Sequence, residues 1–344
     1  MTLGPVEGLS IKGMATVWPE DLTGPSACMA DEDVYAALLG NDWKLQLDAA
    51  SWDYSRTERE LGVRSRSWTR DTDIDSIDLA IAAAEKALAD AGMSPARVDC
   101  IIVATCTPTH VTSTIAAKLA KMLGTSAAAI DIRAGGAGAI NAVATAASYH
   151  ATGCGVSLVV AAEVSSKYLG EHDLSNALLF GDGAAAVVIE SDSSKGGLAA
   201  AVIGNSGWSG IPFTVSGTLP PEEGGGDFVF QRPDDVYRRC LADSWREATN
   251  ELRNISGEEL LTEIAPYAVT RTQLGEVCAA FELPGKSALQ LLEQHGCTGC
   301  VSPLAAMIEH WQQCRNARGD FGGEVLATLA VAGGISWSGL IWRS

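Results

Sequence analysis

Cys297-Thr298-Gly299-Cys300 is the one cysteine pair in this 344-residue chain spaced for joint chemistry. A CxxC pair can act as a redox dithiol or as half of a zinc site. Zinc needs two further ligands at readable spacing. His295 and His310 are the conceivable completions, but an orphan half-site is no basis for expecting a metal, and none is expected. Nine cysteines is an odd number, which excludes full internal pairing. Met1 to Leu22 carries Glu, Lys and Asp among its few hydrophobes and does not read as a secretory leader. Reduced thiols in a cytoplasmic protein are the expectation. Ser165 and Ser166 follow an apolar run, a place where a hydroxyl can act but more often shapes a turn.

The elements that must position these residues follow from periodicity. Ser76–Ala91 has Ile77, Leu79, Ala80, Ala83, Ala84 and Leu88 at helical spacing, and Gly92 stops it. Cys100–Thr105 is a continuous apolar, β-branched run, suited to a strand covered on both faces. A second helix over Thr114–Leu123 and short strands over Leu9–Val17 and Ala129–Ile132 flank it. Gly135-Gly136-Ala137-Gly138 leads into Ala139–Ala151, which is small or apolar all round and therefore predicts an interior helix. Val156–Ala162 predicts another buried strand. Leu178–Glu190 reads as two strands joined by a tight Gly-Asp-Gly turn.

The second half repeats this plan. Helices are expected over Tyr237–Leu252, Thr272–Phe281, Ser287–His295 and Pro303–Arg315. Strands are expected over Leu261–Ala265, Val325–Ala332 and Ser336–Arg343, and a flexible loop over Gly217–Asp227. Alternating helices and buried strands imply α/β layers. FGDGAAAVVI and VAGGISWSGLIW each set a strand against a Gly-containing turn, which hints at an internal duplication, with halves at 1–190 and 191–344. The formal charge of −18 repels phosphate backbones and anionic lipid, so nucleic acid and membrane partners are not expected. No apolar run approaches the length needed to span a bilayer.

Five landmarks in order resemble the ketoacyl synthase III family of the thiolase superfamily over nearly the whole chain. They are Gly62-Val63-Arg64-Ser65-Arg66, the Ala-rich helix within Asp71–Gly92, Ala104–Pro108, Leu179–Ile189 and Ala332–Gly339. The resemblance implies a five-layered αβαβα sandwich of two similar halves, usually a homodimer. It also implies a Cys at the tip of the interior helix, where the helix dipole favours thiolate. A His and an Asn would assist decarboxylation of a malonyl unit, and two backbone amides would form an oxyanion hole.

All three side chains depart from that pattern. The Cys position falls on Gly136, and the nearest cysteines, Cys106 and Cys154, lie too far along the chain for a one-residue shift to restore it. Glycine cannot carry a covalent acyl group. The His position falls on Tyr267, whose phenol titrates near pH 10 and is a poor base at neutral pH. The Asn position falls on Cys297. What the family's pattern leaves intact is the pair of amide donors at Gly136 and Gly333, together with Trp52 and Arg56, which match an element that clamps the adenine of coenzyme A.

The resemblance thus implies a protein acting on an acyl thioester, carried by coenzyme A or an acyl carrier protein, with no tightly bound cofactor. Acyl transfer, or cyclisation or dehydration of a bound chain, in polyketide or other specialised-metabolite biosynthesis fits the loss of the decarboxylating pair. Cys297 is a candidate relocated nucleophile, with His295 as its base if the loop between them is extended. Tyr267 is a candidate proton donor. The alternative is a non-catalytic partner in a heterodimer with an intact ketosynthase.

Overall fold

A computed structural model of the protein describes residues 1–70, 72–110, 112–170, 173–192, 196–207, 235–257, 260–267, 269–320, 322–332 and 334–344. The apolar runs of the first half assemble one five-stranded sheet. Its strands are β1 (Leu9–Val17), β2 (Cys100–Ala104), β3 (Ala128–Ile132), β4 (Val156–Val164) and β5 (Asp182–Ser191), in the spatial order β1-β5-β4-β2-β3. The first two pairings are antiparallel and the last two parallel. Every residue of β2 and β4 is buried, as continuous apolar runs require of strands covered on both faces. Ile101, Val103, Leu158 and Val160 point to one core, and Ile102, Ala104, Val159 and Ala161 to the other, the period-two alternation of a pleated strand.

The second sheet repeats the order. Its strands are β6 (Gly197–Asn205), β7 (Glu263–Ile264), β8 (Val325–Ala332) and β9 (Ser336–Arg343), arranged β6-β9-β8-β7 with antiparallel, antiparallel and parallel pairings. This matches β1-β5-β4-β2 strand for strand, which is the expected duplication. The halves are not cleanly divided, because Thr2–Leu3 and Val6–Glu7 add to the free edge of β6.

Helices complete the layers. The helices α1 (Ser76–Asp90) and α2 (Ile115–Leu123) cover the outer face of the first sheet. Asp75 starts α1 in a capping box with Asp78, and the Thr114 side chain caps α2. Between the sheets lies α3 (Gly138–His150), touching β2 and β4 on one side and β6, β8 and β9 on the other. This double contact accounts for its composition. Ala139, Ala142, Ala144, Ala146 and Ala147 are all at most 1% exposed, and larger side chains would force the sheets apart. The helix α4 (Asp235–Ser256) covers the second sheet through Trp245, Ala248 and Leu252. Two further helices, α5 (Arg271–Phe281) and α6 (Lys286–His295), lead to α7 (Val301–Arg318), which joins α3 in the central layer. The result is the five-layered αβαβα sandwich expected from the sequence.

Two expectations need correction. Leu178–Glu190 is not a hairpin: a short helix over Leu174–Ala177 and a turn lead into the single strand β5. The strand expected over Leu261–Ala265 is confined to β7. The loop expected at Gly217–Asp227 lies outside the described residues. No helix among the described residues is long and apolar enough to cross a membrane.

Candidate active site

The tip of α3 is a tight turn. Gly135 takes a positive φ of 56°, and the amides of Ala137 and Gly138 donate to Ala134 O (3.1 Å) and Gly135 O (3.0 Å). Gly138 opens the helix where a Cβ would sit 3.4 Å from both Ala104 Cβ and Cys300 Cβ. Gly136 is different. Its φ is compatible with any residue, yet a Cβ placed there would fall 2.5, 2.6 and 2.8 Å from Cε1, Cδ1 and Cζ of Tyr267. The phenol ring therefore occupies the space into which a side chain at the helix tip would project.

Tyr267 is held there by the sheet. The segment beyond β7 stays hydrogen-bonded to β8 through Ala265 N to Ala327 O (2.8 Å) and Tyr267 N to Leu329 O (2.7 Å). Thr328 Oγ1 donates to Ala265 O at 2.6 Å. The Tyr267 side chain is buried, and its hydroxyl accepts from Cys297 Sγ at 3.4 Å. Cys297 is itself 0% exposed and fixed by Cys297 N to Leu179 O (2.8 Å) and Gly181 N to Cys297 O (3.1 Å). Burial pushes its thiol up to about 11, so it stays protonated at neutral pH. Gly136, Tyr267 and Cys297 thus form one contiguous group. Gly333 lies outside the described residues.

The structure does not bring His295 to Cys297. The chain between them turns at Gly296 (φ 72°, ψ −167°), so the extended geometry that would put both on one side is absent. His295 instead stacks on Trp18 with ring centroids 3.7 Å apart, lies 3.0 Å through Nδ1 from Ser67 Oγ, and is 3.5 Å from Glu20. Burial pushes this ring down to about 4 from an ordinary 6.5. The unfolded chain therefore takes up the proton first. The stability that this ring contributes is complete above pH 6.5 and is lost as pH falls towards 4, by about 3 kcal/mol. Urea titrations at pH 7 and pH 4.5 should show a drop that is smaller by about 2 kcal/mol in His295→Phe. Equal drops would place the acid sensitivity elsewhere.

The remaining candidates serve other contacts. Cys297 and Cys300 turn to different partners: Cys297 Sγ to the Tyr267 hydroxyl, and Cys300 Sγ to Glu163 Oε1 at 3.0 Å. Neither of the two histidines completes a site with them, because His310 pairs with Glu324. Ser166 donates to the buried Asp182 from its amide (2.8 Å) and its hydroxyl (2.6 Å), so it fixes structure. Ser165 is buried beside it. Trp52 Nε1 donates to Tyr35 at 3.1 Å, edge-on to the Tyr35 ring, and Arg56 pairs with Glu60 at 2.9 Å.

Glu163 escaped the sequence reading. Fully enclosed, it accepts from Thr107 Oγ1 (2.6 Å) and from the amides of Cys106 and Thr107 (3.1 Å each), and burial raises its pKa. Its signal was present: it is the one charged residue in the run Val156–Val164. Cys106 is open to solvent on one side, and its sulfur faces the amides of Gly135 and Ala134 just before the helix tip. The protein packed around that sulfur and the nearby Glu163 push its thiol up to about 12.

Residues 130–207, which include the helix tip, match the family model of 3-oxoacyl-[acyl-carrier-protein (ACP)] synthase III. The chain has the ketoacyl synthase III fold. It superposes on FabH, the 3-oxoacyl-(acyl carrier protein) synthase III of Pseudomonas aeruginosa PAO1, with a TM-score of 0.79 at 22% identity, covering 98% of both chains. The Thermus thermophilus FabH gives 0.76 at 23%, covering 97% of this chain and 99% of that one. The priming β-ketosynthase of the R1128 polyketide pathway gives 0.78 at 21%, covering 99% and 97%.

Proposed function

We propose that the protein acts on acyl thioesters, presented by coenzyme A or an acyl carrier protein, without forming an acyl-enzyme at the helix tip. The observation that carries this reading is the Tyr267 ring seated where a side chain on residue 136 would go. The acyl group then passes directly. The acceptor's oxygen or nitrogen attacks the thioester carbonyl, the carbon–sulfur bond breaks, and the acceptor's proton ends on the departing thiolate. Tyr267, whose hydroxyl already accepts from Cys297, is the proton-donating candidate at that centre. The amides of Gly136 and Gly333 are the oxyanion donors in this reading, and Trp52 and Arg56 are the adenine contacts. Cyclisation or dehydration of a bound chain in specialised-metabolite biosynthesis uses the same groups.

A groove of about 650 Å³ between α4 and α5 supports a phosphate-bearing carrier. Arg238, Arg246 and Arg253 line it, on a chain whose formal charge is −18. Arg238 and Arg246 each pair with an exposed aspartate and Glu276 also lines the groove, so Arg253 is the guanidinium there with no carboxylate within ion-pair distance among the described residues. A second reading, an inert subunit paired with an intact ketosynthase, is favoured by the same filled helix tip and by the protonated, enclosed Cys297.

Intact-protein mass spectrometry after incubation with acyl thioesters separates these. Direct transfer predicts thioester consumption with no mass adduct, and about a 100-fold loss of rate in Tyr267→Phe. An adduct that disappears in Cys297→Ala would replace direct transfer by a relocated nucleophile. Neither adduct nor turnover, with stable pairing to an intact ketosynthase in place of a homodimer, would favour the subunit reading.

A further inference from the structure

We propose that His310, Cys314 and Glu324 form a transition-metal site, taking zinc or a similar borderline divalent ion. His310 and Cys314 stand one turn apart on α7 and share a face. Glu324 immediately precedes β8. His310 Nε2 lies 2.9 Å from Glu324 Oε2 and 3.6 Å from Cys314 Sγ, and the three ligand atoms are all within 4.8 Å of one another. Tetrahedral zinc, with bonds of roughly 2.0 Å to nitrogen and oxygen and 2.3 Å to sulfur, sets N···S at about 3.5 Å and N···O at about 3.3 Å. The two separations from His310 Nε2 are within about 0.5 Å of these values, and Cys314 Sγ and the Glu324 carboxylate lie within 4.8 Å of each other.

The surroundings fit this assignment. Arg318 Nη2 donates to the other Glu324 oxygen at 2.6 Å, which leaves Oε2 facing the histidine. On the far side of the ring, His310 Nδ1 faces Glu263 Oε2 at 4.0 Å. The other Glu263 oxygen is fixed by the amides of Ile264 (2.9 Å) and Gly285 (3.0 Å). At 4.0 Å this carboxylate is beyond hydrogen-bond reach; on metal binding it would close by about 1 Å and accept the Nδ1 proton, the arrangement that orients a ligating histidine and raises its basicity. Both carboxylates are buried, and the His310 side chain is 13% exposed, so this is no loose surface cluster. A nitrogen, sulfur and oxygen donor set suits zinc or cobalt rather than magnesium or calcium. Three protein ligands leave a fourth position for water. On binding, Cys314 gives its proton to solvent and ligates as thiolate. The ion would pin the end of α7 to the start of β8.

The test is titration of the chelator-treated full-length protein with cobalt(II), followed by displacement with zinc. One equivalent should bind with a sulfur-to-cobalt charge-transfer band that zinc abolishes. The conservative variant Cys314→Ser should lose the band while keeping the native far-ultraviolet circular dichroism. Glu263→Gln should weaken binding about 10-fold. Absence of the band in the native protein, or its persistence in Cys314→Ser, which would place it on another of the cysteines, overturns the proposal.

Discussion

Gly136→Cys, the substitution that would place a thiol at the helix tip, is expected to destabilise the fold by about 1–3 kcal/mol. The new Cβ would fall 2.5–2.8 Å from three atoms of the Tyr267 ring, and Tyr267 has little freedom to yield. Its backbone is bonded to Leu329 and its hydroxyl takes the Cys297 thiol. Tyr267→Ala alone removes a buried aromatic ring and should cost about 3–5 kcal/mol. In the double variant the sulfur partly fills that space, so the two losses should fall short of their sum by at least about 1 kcal/mol. Urea unfolding of the four proteins measures this coupling. Additive losses would mean that the ring does not rest on the helix tip, and the proposed function would lose its carrying observation.

The second large effect is expected at Asp182, the aspartate of the Gly-Asp-Gly segment. It is 0% exposed and accepts four hydrogen bonds: from Ser166 N (2.8 Å) and Oγ (2.6 Å), and from Thr69 N (2.7 Å) and Oγ1 (2.8 Å). Burial raises its pKa, against the lowering pull of these donors. Asp182→Ala would strand two buried amides and two hydroxyls, each costly to leave unpaired. A loss of about 3–5 kcal/mol is expected, with Asp182→Asn milder because one acceptor oxygen survives. A loss below about 1 kcal/mol in Asp182→Ala, read from urea midpoints, would show that water enters and replaces the carboxylate.

These two positions also show where the sequence is informative. The strands β2 and β4 and the helix α3 are legible because burial on both faces leaves a continuous apolar or small-residue run. The misread segment is Leu178–Glu190, where Gly181 and Gly183 look like turn residues. Neither adopts a positive φ. Gly181 is small because a Cβ would meet His295 O at 1.9 Å, and Gly183 because it would meet the Trp18 ring at 2.6 Å. A glycine kept for room reads the same in one dimension as a glycine kept for a turn.

The candidate site divides in the same way. That residue 136 is a glycine is visible in the sequence, since only identity is needed. The filling of its space by Tyr267 is a contact between residues far apart in the chain, and no local pattern encodes it. The separation of His295 from Cys297 depends on the backbone angle at Gly296, which spacing alone cannot supply.

The crossing of Thr2–Leu3 and Val6–Glu7 into the second sheet bears on the order of assembly. Thr2 pairs with Val202, and Glu7 with Gly197. During synthesis the leading residues must therefore wait for about two hundred others to leave the ribosome before they find their partners, a long-range closure of the kind that forms late. A protein cut between Asp192 and Gly196 would yield two fragments, with the outer seam of the latter's sheet supplied by the former. Neither piece would be self-sufficient, and recovery of the native state would require the two to meet.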